Sequence, residues 1–500
     1  MMNNSASYIL AIDQGTSGTG AYLYDSSGTI FAAADIPVKT HYPRPGWVEQ
    51  DPYEILASVK QVVHEVIQKH NLKPGQITAV GLAHQGESLL LWDQQTGKPI
   101  YNVIIWQCVR STDLVQTLIE AGHEQGFRAR TGMPLDPEWP ATKIRWVLRN
   151  VPEAVDLYKQ GRLMYSQIDA WLINQLTQEK LFVTDHSMAS RSGFYNIHQQ
   201  EWDPELIDLF EADNLNLPEL WDSDDFFGTM IINDAWSIPW RVNIIDQASA
   251  LLGQACTSRG DAKVTYGSCA AFWYNLGSEP HLTKQLSTSI AWKSNSQATY
   301  AVVGETSAAG TVIAWLQDGL KIPWRLTELS DVAESVKEDE EILFVSALSG
   351  LGAPYWDRYT RGTIYGVTGA TRLEHFVRAG LESIAFGVCD LADYFENVEN
   401  LDLPDVIKVD GGMTANNYLM QFQADMLGKT IAVSNNQEST SMGVAFLTSN
   451  ACGNYDGIEN LKQSWKAKKI YEPRISAAEG EHKYHRWRDA VQNTILMHRP

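Results

Sequence analysis

The chain has 500 residues, a formal net charge of −21, and a composition that is 44% hydrophobic and 20% charged. The length is too great for one ordinary domain and predicts about two to four. The negative charge argues against broad binding of nucleic acid or of an anionic membrane, since both require a basic surface. No apolar stretch reaches membrane-spanning length and five cysteines are scattered without metal-site spacing, so we expect a cytoplasmic protein with reduced thiols.

The N-terminal stretch predicts strands and turns before its first helix. "SYILAID" (7–13) and "GAYLYD" (20–25) predict two strands around a turn of small residues, and "TIFAAADIPV" (29–38) predicts a third. Apolar residues at helical spacing predict a helix over 53–70. "ITAVGLAH" (77–84) then predicts a buried strand that ends in a polar cluster.

A similar order returns after residue 260. "AKVTYGSCAAFWYNLG" (262–277) predicts a strand, a turn of small residues and a second strand. "SIAWKS" (289–294) and "TYAVVGE" (299–305) predict two more strands, and "GTVIAWLQDGL" (310–320) predicts a helix.

The C-terminal part repeats the pattern of a strand that ends in an acid. "DVIKVDGG" (405–412) predicts a strand ending in Asp and two glycines, and "NNYLMQFQADML" (416–427) predicts the helix after it. The order of elements predicts two α/β domains, 1–250 and 251–500, that face each other across a cleft and place their turns at one ligand.

Three turn clusters are candidates for ligand binding: "DQGTSG" (13–18), "TYGSCA" (265–270) and "VDGGMTANN" (409–417). Each alone is compatible with a plain hairpin turn, or at Asp13 with an Asx-turn. An Asp beside residues with small or absent side chains is also typical of a site for a phosphate group that carries a metal ion. No GxGxxG motif follows a strand, and no complete P-loop motif is present.

Together with longer motifs, these turns resemble the FGGY carbohydrate kinases, and among them the glycerol kinases most closely. The motifs include "TDHSMASRSGFYNI" (184–197) and the highly specific "SGLGAPYWDRYTRG" (349–362), and the resemblance covers nearly the whole chain. It implies two actin-like, ribonuclease-H-like domains that close over ATP·Mg²⁺ and a sugar or polyol. It also implies transfer of the γ-phosphoryl group to a hydroxyl of glycerol or of a larger polyol or ketose. The resemblance also implies that the protein forms a homodimer or a homotetramer.

The resemblance assigns nucleotide-side roles to individual residues. Asp13 matches the acid of the family's first turn, which would hold Mg²⁺ through water. The matching phosphate and adenosine positions lie in the three turns and at the start of one helix, where N–H groups favour anions. They are Gly15, Thr16, Ser17, Thr265, Gly267, Ser268, Gly310, Thr311, Gly411, Gly412 and Asn416.

Asp246 matches the family's catalytic base. Phosphoryl transfer requires a hydroxyl aligned with the γ-phosphate and a group that accepts its proton. An Asp between the strand "VNII" and a helix is also typical of an N-cap, so both roles stay open. The substrate contacts that the resemblance implies are Gln85, Glu87, Trp106, Glu138, Asp246 and Gln247.

The substrate pocket departs from the pattern of the glycerol kinases. Gly86 stands where they carry Arg, and Glu138 stands where they carry Tyr. Replacing Arg by Gly predicts open space beside Glu87, and a carboxylate accepts hydrogen bonds from several hydroxyls. We therefore predict a substrate of four or more carbons; in the alternative, Trp139 fills the space and glycerol still binds.

The phosphate side departs as well. Gly20 stands where the family carries Lys or Arg near the phosphates, and Val109 where an Arg is usual, which leaves Arg110. A relocated cation, either Lys143 or Arg191, or a slow kinase would explain the difference.

A sharper alternative is a non-catalytic actin-like protein that binds a sugar or nucleotide as a sensor. Gly20 and Gly86 favour this alternative, whereas Asp13, Asp246 and the three turns favour the enzyme. Relatives of actin and of chaperones share the expected fold but would not explain the motif at 349–362.

Overall fold

The structure is a computed structural model that describes residues 7–233, 236–337, 342–436, 438–454, 458 and 461–498. These residues form two large mixed β-sheets with helices packed on them, together with several two-stranded sheets. Within the described ranges, no helix combines the length and apolar character needed to cross a membrane.

The first large sheet has six strands, formed by the N-terminal half of the chain. In spatial order they are β13 (Thr229–Asn233), β14 (Trp236–Ile245), β5 (Ile77–His84), β1 (Tyr8–Gln14), β2 (Gly18–Tyr24) and β3 (Ile30–Pro37). Strands β1, β5 and β14 are parallel, and β2 and β3 continue from β1 as an antiparallel meander. Continuous apolar runs make β1 and β5 buried on both faces, as central strands of a layered α/β sheet are.

Helix α1 (Pro52–Lys69) covers one face of this sheet and contacts β2 and β3. It begins at Asp51, whose carboxylate accepts a hydrogen bond from the N–H of Tyr53 at 2.7 Å, and Pro52 is pre-organised for the first helical position. The predicted strands and helix of this region are therefore confirmed within one or two residues.

The remaining elements of the first half are short. The paired strands are β4 (Glu49–Gln50) with β7 (Val103–Ile104), β6 (Leu90–Asp93) with β8 (Leu163–Ser166), β9 (Val183–Asp185) with β12 (Glu219–Trp221), and β10 (Tyr195–Asn196) with β11 (Glu201–Trp202). The helices are α2 (Thr112–Glu120), α3 (Glu124–Thr131), α4 (Pro140–Asn150), α5 (Pro152–Lys159), α6 (Ile168–Leu176), α7 (His186–Ala189), α8 (Pro204–Leu209) and α9 (Asp246–Gly253).

The second large sheet has seven strands. In spatial order they are β17 (Ser287–Ser294), β18 (Gln297–Glu305), β16 (Ala270–Gly277), β15 (Ala262–Tyr266), β21 (Val406–Asp410), β22 (Thr430–Ser434) and β23 (Ala467–Tyr471). Strand β15 pairs antiparallel with β16 and parallel with β21, which repeats the relation of β1 to β2 and β5. The order of elements predicted that the two halves are built alike, and the pairing of their strands agrees with that prediction.

The other elements of the second half surround this sheet. A small sheet pairs β19 (Leu343–Val345) with β20 (Thr363–Tyr365). The helices are α10 (Gly310–Asp318), α11 (Leu329–Glu334), α12 (Leu373–Asp393), α13 (Asn417–Leu427), α14 (Ser439–Ala451), α15 (Leu461–Ser464) and α16 (Ala477–His498).

Helix α14 joins the two halves. It lies in the sequence interval predicted as the second domain, yet it packs against α9 and against β1 and β5 of the first sheet. A Cβ atom on Gly443 would lie 1.9 Å from the carbonyl oxygen of Ser249, so only glycine permits this close approach of α9 and α14. The crossing fixes α9, and with it Asp246, against the first sheet.

Candidate active site between the two halves

The first predicted turn connects β1 to β2 and is bonded to two predicted substrate residues. The hydroxyl of Thr16 accepts a hydrogen bond from the indole N–H of Trp106 at 3.0 Å and donates to Oε1 of Gln85 at 3.2 Å. The N–H of Gly15 donates to the carbonyl of Gly18 at 2.9 Å and closes the turn. The turn and the substrate side therefore form one hydrogen-bonded unit.

Asp13 lies near the end of β1 among other acids. Its burial, followed by the negative charges of Asp246, Glu438 and Asp35, raises the pKa of this carboxyl group well above its usual range. A bound cation would stabilise the ionised form of such a group.

Gly20 lies opposite Asp13 on β2, and side chains occupy the space next to it. A Cβ atom at this position would lie 2.6 Å from Cε2 of Tyr22 and 2.8 Å from Oδ1 of Asp35. The Tyr22 hydroxyl lies 3.0 Å from both Asp35 and Glu438. Where the family pattern has a cation, this chain therefore has a phenol and carboxylates.

Asp246 is the first residue of α9, and Ile245 rather than Asp246 is the N-cap residue. Its Oδ1 accepts a hydrogen bond from the N–H of Gln247 at 2.6 Å, which orients the carboxylate. Burial, followed by the negative charge of Glu87, raises the pKa of Asp246 to about 7. A carboxylate with this pKa is matched to proton acceptance near neutral pH.

The predicted substrate residues Glu87 and Glu138 meet at one arginine. Arg191 forms an ion pair with Glu87 through Nε, and its Nη2 lies 3.8 Å from Oε1 of Glu138. The guanidinium group lies 4.8 Å from the ring centroid of Trp139. Burial, followed by the charges of Glu87 and Glu305, raises the pKa of Glu138 well above its usual range.

The prediction of open space at Gly86 is wrong. A Cβ atom on Gly86 would lie 2.4 Å from Cδ1 of Ile245, so the side chain before the predicted base fills the space. Trp139, the residue expected to fill it in the alternative, instead packs against Arg191. The pocket differs from the family pattern in its polar groups rather than in an added void beside Glu87.

Arg110 and the two cations considered as replacements, Lys143 and Arg191, are engaged on the first half. Arg110 contacts Glu49 at 2.6 Å and lies 4.1 Å from the ring centroid of Trp47. Lys143 is buried, donates to the carbonyl of Glu87 at 2.8 Å and has a pKa lowered by burial to about 8. With Arg191 bound to Glu87, these side chains serve the substrate side and its supporting structure.

The second turn connects β15 to β16 and is supported by the start of α10. The N–H of Gly310 donates to the carbonyl of Gly267 at 2.9 Å, and the N–H of Thr311 donates to the carbonyl of Ser268 at 3.3 Å. We expected these N–H groups to be free for an anion; in the structure they are bonded to the turn instead. Gly267 and Ser268 are exposed, and Ser268 lines a cavity between the two halves.

The third turn follows β21 and leads into α13. Gly411 has a φ of +91°, and a Cβ atom there would lie 2.4 Å from the carbonyl oxygen of Tyr266. Oδ1 of Asn416 caps α13 by accepting from the N–H of Leu419 at 2.9 Å. The buried Nδ2 of Asn416 has no hydrogen-bond partner among the described residues.

A cavity of about 390 Å³ brings the two predicted sets of residues together. Trp106 and Glu138 line it from the first half, and Ser268 and Thr311 line it from the second. A separate cavity of about 530 Å³ lies at the first turn and is lined by Asp13, Gly15, Thr16, Ser17 and Gly20 with neighbouring residues.

Sequence reasoning missed three charged residues of this region. Glu305 ends β18 and lines the 390 Å³ cavity. Arg358, inside the 349–362 motif, binds Asp136 of the first half at 2.5 Å. Lys263 is the charged residue within the buried strand "AKVTY", and this isolated charge was the signal that could have identified it.

Comparison with known proteins identifies the family. The family model described as the FGGY family of carbohydrate kinases, N-terminal domain, matches residues 8–253, and the model of its C-terminal domain matches residues 262–452. The chain belongs to the FGGY family of carbohydrate kinases. Membership confirms the predicted class of enzyme and does not favour the non-catalytic sensor.

Individual relatives match nearly the whole length of this FGGY chain. Glycerol kinase 2 of Thermotoga maritima is 38% identical over 491 residues, which are 98% of this chain and 99% of the relative. The crystal structure of Plasmodium falciparum glycerol kinase with ADP has a TM-score of 0.91 at 31% identity over 98% of both chains. Gluconate kinase from Lactobacillus acidophilus, at 24% identity and a TM-score of 0.88 over 99% of both chains, shares the fold. The predicted actin-like α/β fold is confirmed.

Proposed function

We propose that this chain transfers the γ-phosphoryl group of ATP to a hydroxyl group of glycerol or of a larger polyol or ketose. The observation that carries the proposal is the 390 Å³ cavity, which residues matched to substrate and to nucleotide line from opposite halves. Phosphoryl transfer depends mainly on holding two substrates in line, and a cleft between two halves suits that task.

Asp246 is the proposed general base. A substrate hydroxyl that attacks the γ-phosphate must lose its proton, and a carboxylate with a pKa of about 7 accepts it near neutral pH. The N–H of Gln247 holds Oδ1 and thereby orients the carboxylate. After burial, the charge of Glu87 contributes most to raising the pKa of Asp246. Glu87 is itself one of the residues predicted to bind the polyol.

The proposed polyol site consists of carboxylates arranged around Arg191. Glu87 and Glu138 supply acceptors for hydroxyl protons, and Arg191 supplies donors and lowers the mutual repulsion of the two acids. Several acceptors favour a substrate with several hydroxyl groups. The glycerol kinases among the relatives make glycerol the first compound to test, and the replacement of Tyr by Glu138 makes polyols of four or more carbons the next.

Mg²⁺ is proposed to bind at Asp13. Among the described residues, no three His, Cys, Asp or Glu side chains converge to hold a metal ion by themselves. That agrees with a magnesium ion held through water by one carboxylate and otherwise by phosphate oxygens. Asp13 would hold the ion, which when bound would neutralise charge on the phosphates.

The nucleotide is proposed to lie against the second and third turns. Asn416 offers an unused buried donor, and Gly411 allows the chain to turn tightly against Tyr266. Gly412 has open space beside its Cα, so the backbone there is accessible to a ligand.

The experiment is a measurement of ADP release with ATP·Mg²⁺ across three-, four- and five-carbon polyols and ketoses. We expect saturable ADP release with at least one compound, and the Asp246→Asn variant is the matched control. A protein that ATP stabilises by about 2.7 kcal/mol at 100 times its Kd, but that releases no ADP with any compound, would be a sensor instead.

A further inference from the structure

We propose that Lys263 is a positioning residue, which turns the Thr265 hydroxyl toward the nucleotide and the Gln247 amide toward the polyol. The inference rests on the proposed function. No motif of the sequence pointed to this role; the contacts of one buried ammonium group do.

Lys263 lies in β15, with its side chain fully buried. Its Nζ donates to Oγ1 of Thr265 at 2.6 Å and to Oε1 of Gln247 at 3.0 Å. Thr265 precedes the second turn, and Gln247 is the second residue of α9, next to the proposed base. One side chain of the second half therefore contacts both a residue predicted to bind the nucleotide and a residue predicted to bind the polyol.

The direction of these hydrogen bonds determines what the two partners can do. An ammonium group has donors and no acceptor, so both Thr265 and Gln247 must accept from it. The Thr265 hydroxyl then directs its own hydrogen away from Nζ and can donate to a phosphate oxygen. The Gln247 amide presents its oxygen to Lys263, so its NH₂ group points the other way and can donate to a polyol oxygen.

The charge of Lys263 serves the same region. Burial lowers the pKa of Lys263, and the carboxylates of Asp410, Asp246 and Glu305, with the thiol of Cys256, act against that shift. Glu87 and Glu305 raise the pKa of Asp246, and Lys263 lowers it. Lys263 therefore supplies positive charge between the proposed base and the second turn.

Lys408 is a matched control on the neighbouring strand. It is the register partner of Lys263 in the β15–β21 pair. Its Nζ donates to the carbonyl of Ala255 at 3.0 Å and lies 4.8 Å from the ring centroid of Trp465. Lys408→Met removes a lysine from the same sheet without changing a hydrogen bond to Thr265 or Gln247.

The test is a double-mutant cycle in kcat/KM for the best substrate, with Lys263→Met, Thr265→Val and the combined variant. A misplaced reacting group can cost about 10²-fold, and we expect a loss of that size for Lys263→Met. The combined variant should lose much less than the product of the two single losses, because Lys263 acts through Thr265. With Lys408→Met in place of Lys263→Met, the loss should be small and the two effects should multiply.

Two results would overturn the role of Lys263. One is equal losses for Lys263→Met and Lys408→Met, and the other is a combined loss equal to the product of the single losses. If Lys263→Met does not fold, Lys263→Arg is tested instead, because it keeps the charge and moves the donors. A lower kcat of Lys263→Arg with unchanged ADP affinity supports the positioning role. Full activity of Lys263→Arg overturns it. A wild-type protein that releases no ADP overturns the proposed function itself, which distinguishes the two failures.

Discussion

The two halves of the cleft offer opposite kinds of polar group. The first half contributes mainly carboxylates, and we call this set the acid side: Asp13, Glu87, Glu138 and Asp246. The second half contributes mainly donors, and we call this set the donor side: Lys263, Thr265, Ser268 and Asn416. Glu305, which lines the 390 Å³ cavity, is one acid of the second half that departs from this division.

The difference follows the chemistry of the two proposed substrates. A polyol donates hydroxyl hydrogens and must lose one proton, so its side of the cleft requires acceptors and a base. ATP presents phosphate and ring acceptors, so its side requires donors. Both halves use the same strand–turn–strand unit. Before its turn, β1 carries Asp13, whereas β15 carries Thr265. The register partner of Thr265 on the neighbouring strand β21 is Asp410. The two strand–turn–strand units therefore share their strand pairing and differ in the side chains beside the turn.

The largest expected effect is on the acid side. Asp246→Asn removes the proton acceptor and should lower kcat on the best substrate by about 10²–10⁴-fold. Nucleotide affinity, measured by calorimetry, should stay within a few-fold of wild type, because the amide keeps the size of the side chain. Near-normal turnover of this variant would mean that the base lies elsewhere and that the acid side is misassigned.

The proposed metal ligand is the next largest effect. Asp13→Asn should raise the Mg²⁺ concentration for half-maximal activity by about 10–100-fold, the usual cost of losing a group that orients metal-bound water. Asp35→Asn is the matched control, because Asp35 belongs to the same cluster of acids but accepts a hydrogen bond from Tyr22. If wild type and Asp13→Asn depend equally on the magnesium concentration, Asp13 is not a ligand of the metal ion.

The pH dependence tests the charge state of the acid side. Because burial raises the pKa of Asp246 to about 7, a falling pH protonates the base well before an ordinary aspartate would titrate. We expect kcat/KM to fall about tenfold per pH unit below that value. Initial rates between pH 5 and 9 measure it, and a flat profile from pH 5 to 7 would contradict the assignment of Asp246.

The smallest expected effect is on the donor side. Asn416→Asp keeps the oxygen that caps α13 but replaces the buried Nδ2 donor, so we expect ADP affinity to fall by about tenfold. Asn417→Asp makes the same chemical change one residue further on, where the amide oxygen accepts from Lys469 and Tyr471. Calorimetric ADP binding should separate the two variants, and equal affinities would show that the Asn416 donor is not used.

The sequence predicted the local structure of both halves well. The strand at 77–84 has the predicted bounds, and α10 and α13 begin at or next to the predicted residues. Local periodicity and turn chemistry suffice for such elements, because each depends on neighbours in sequence. The family motifs likewise placed Asp246 at the junction of a strand and a helix, as observed.

The failures concern side chains that meet only after folding. The space at Gly86 is filled by Ile245, and no local pattern connects two residues so far apart. The N–H groups at the start of α10 are bonded to the second turn, a contact that depends on how the helix docks on the sheet. Lys143 and Arg191, the two candidates for a relocated cation, bind Glu87 instead.

By itself the sequence determined the family, the two α/β halves, the three turns and the position of Asp246, because motifs and hydrophobic periodicity are written into contiguous residues. Only the tertiary structure decided the sign of charge on each side of the cleft. Tyr22 and Glu438 stand 416 positions apart, yet they are in contact beside Gly20, where the family pattern has a cation. Lys263 reaches Gln247 because the second half closes on α9. Burial then raises the pKa of Asp246, since only folding removes this carboxylate from water.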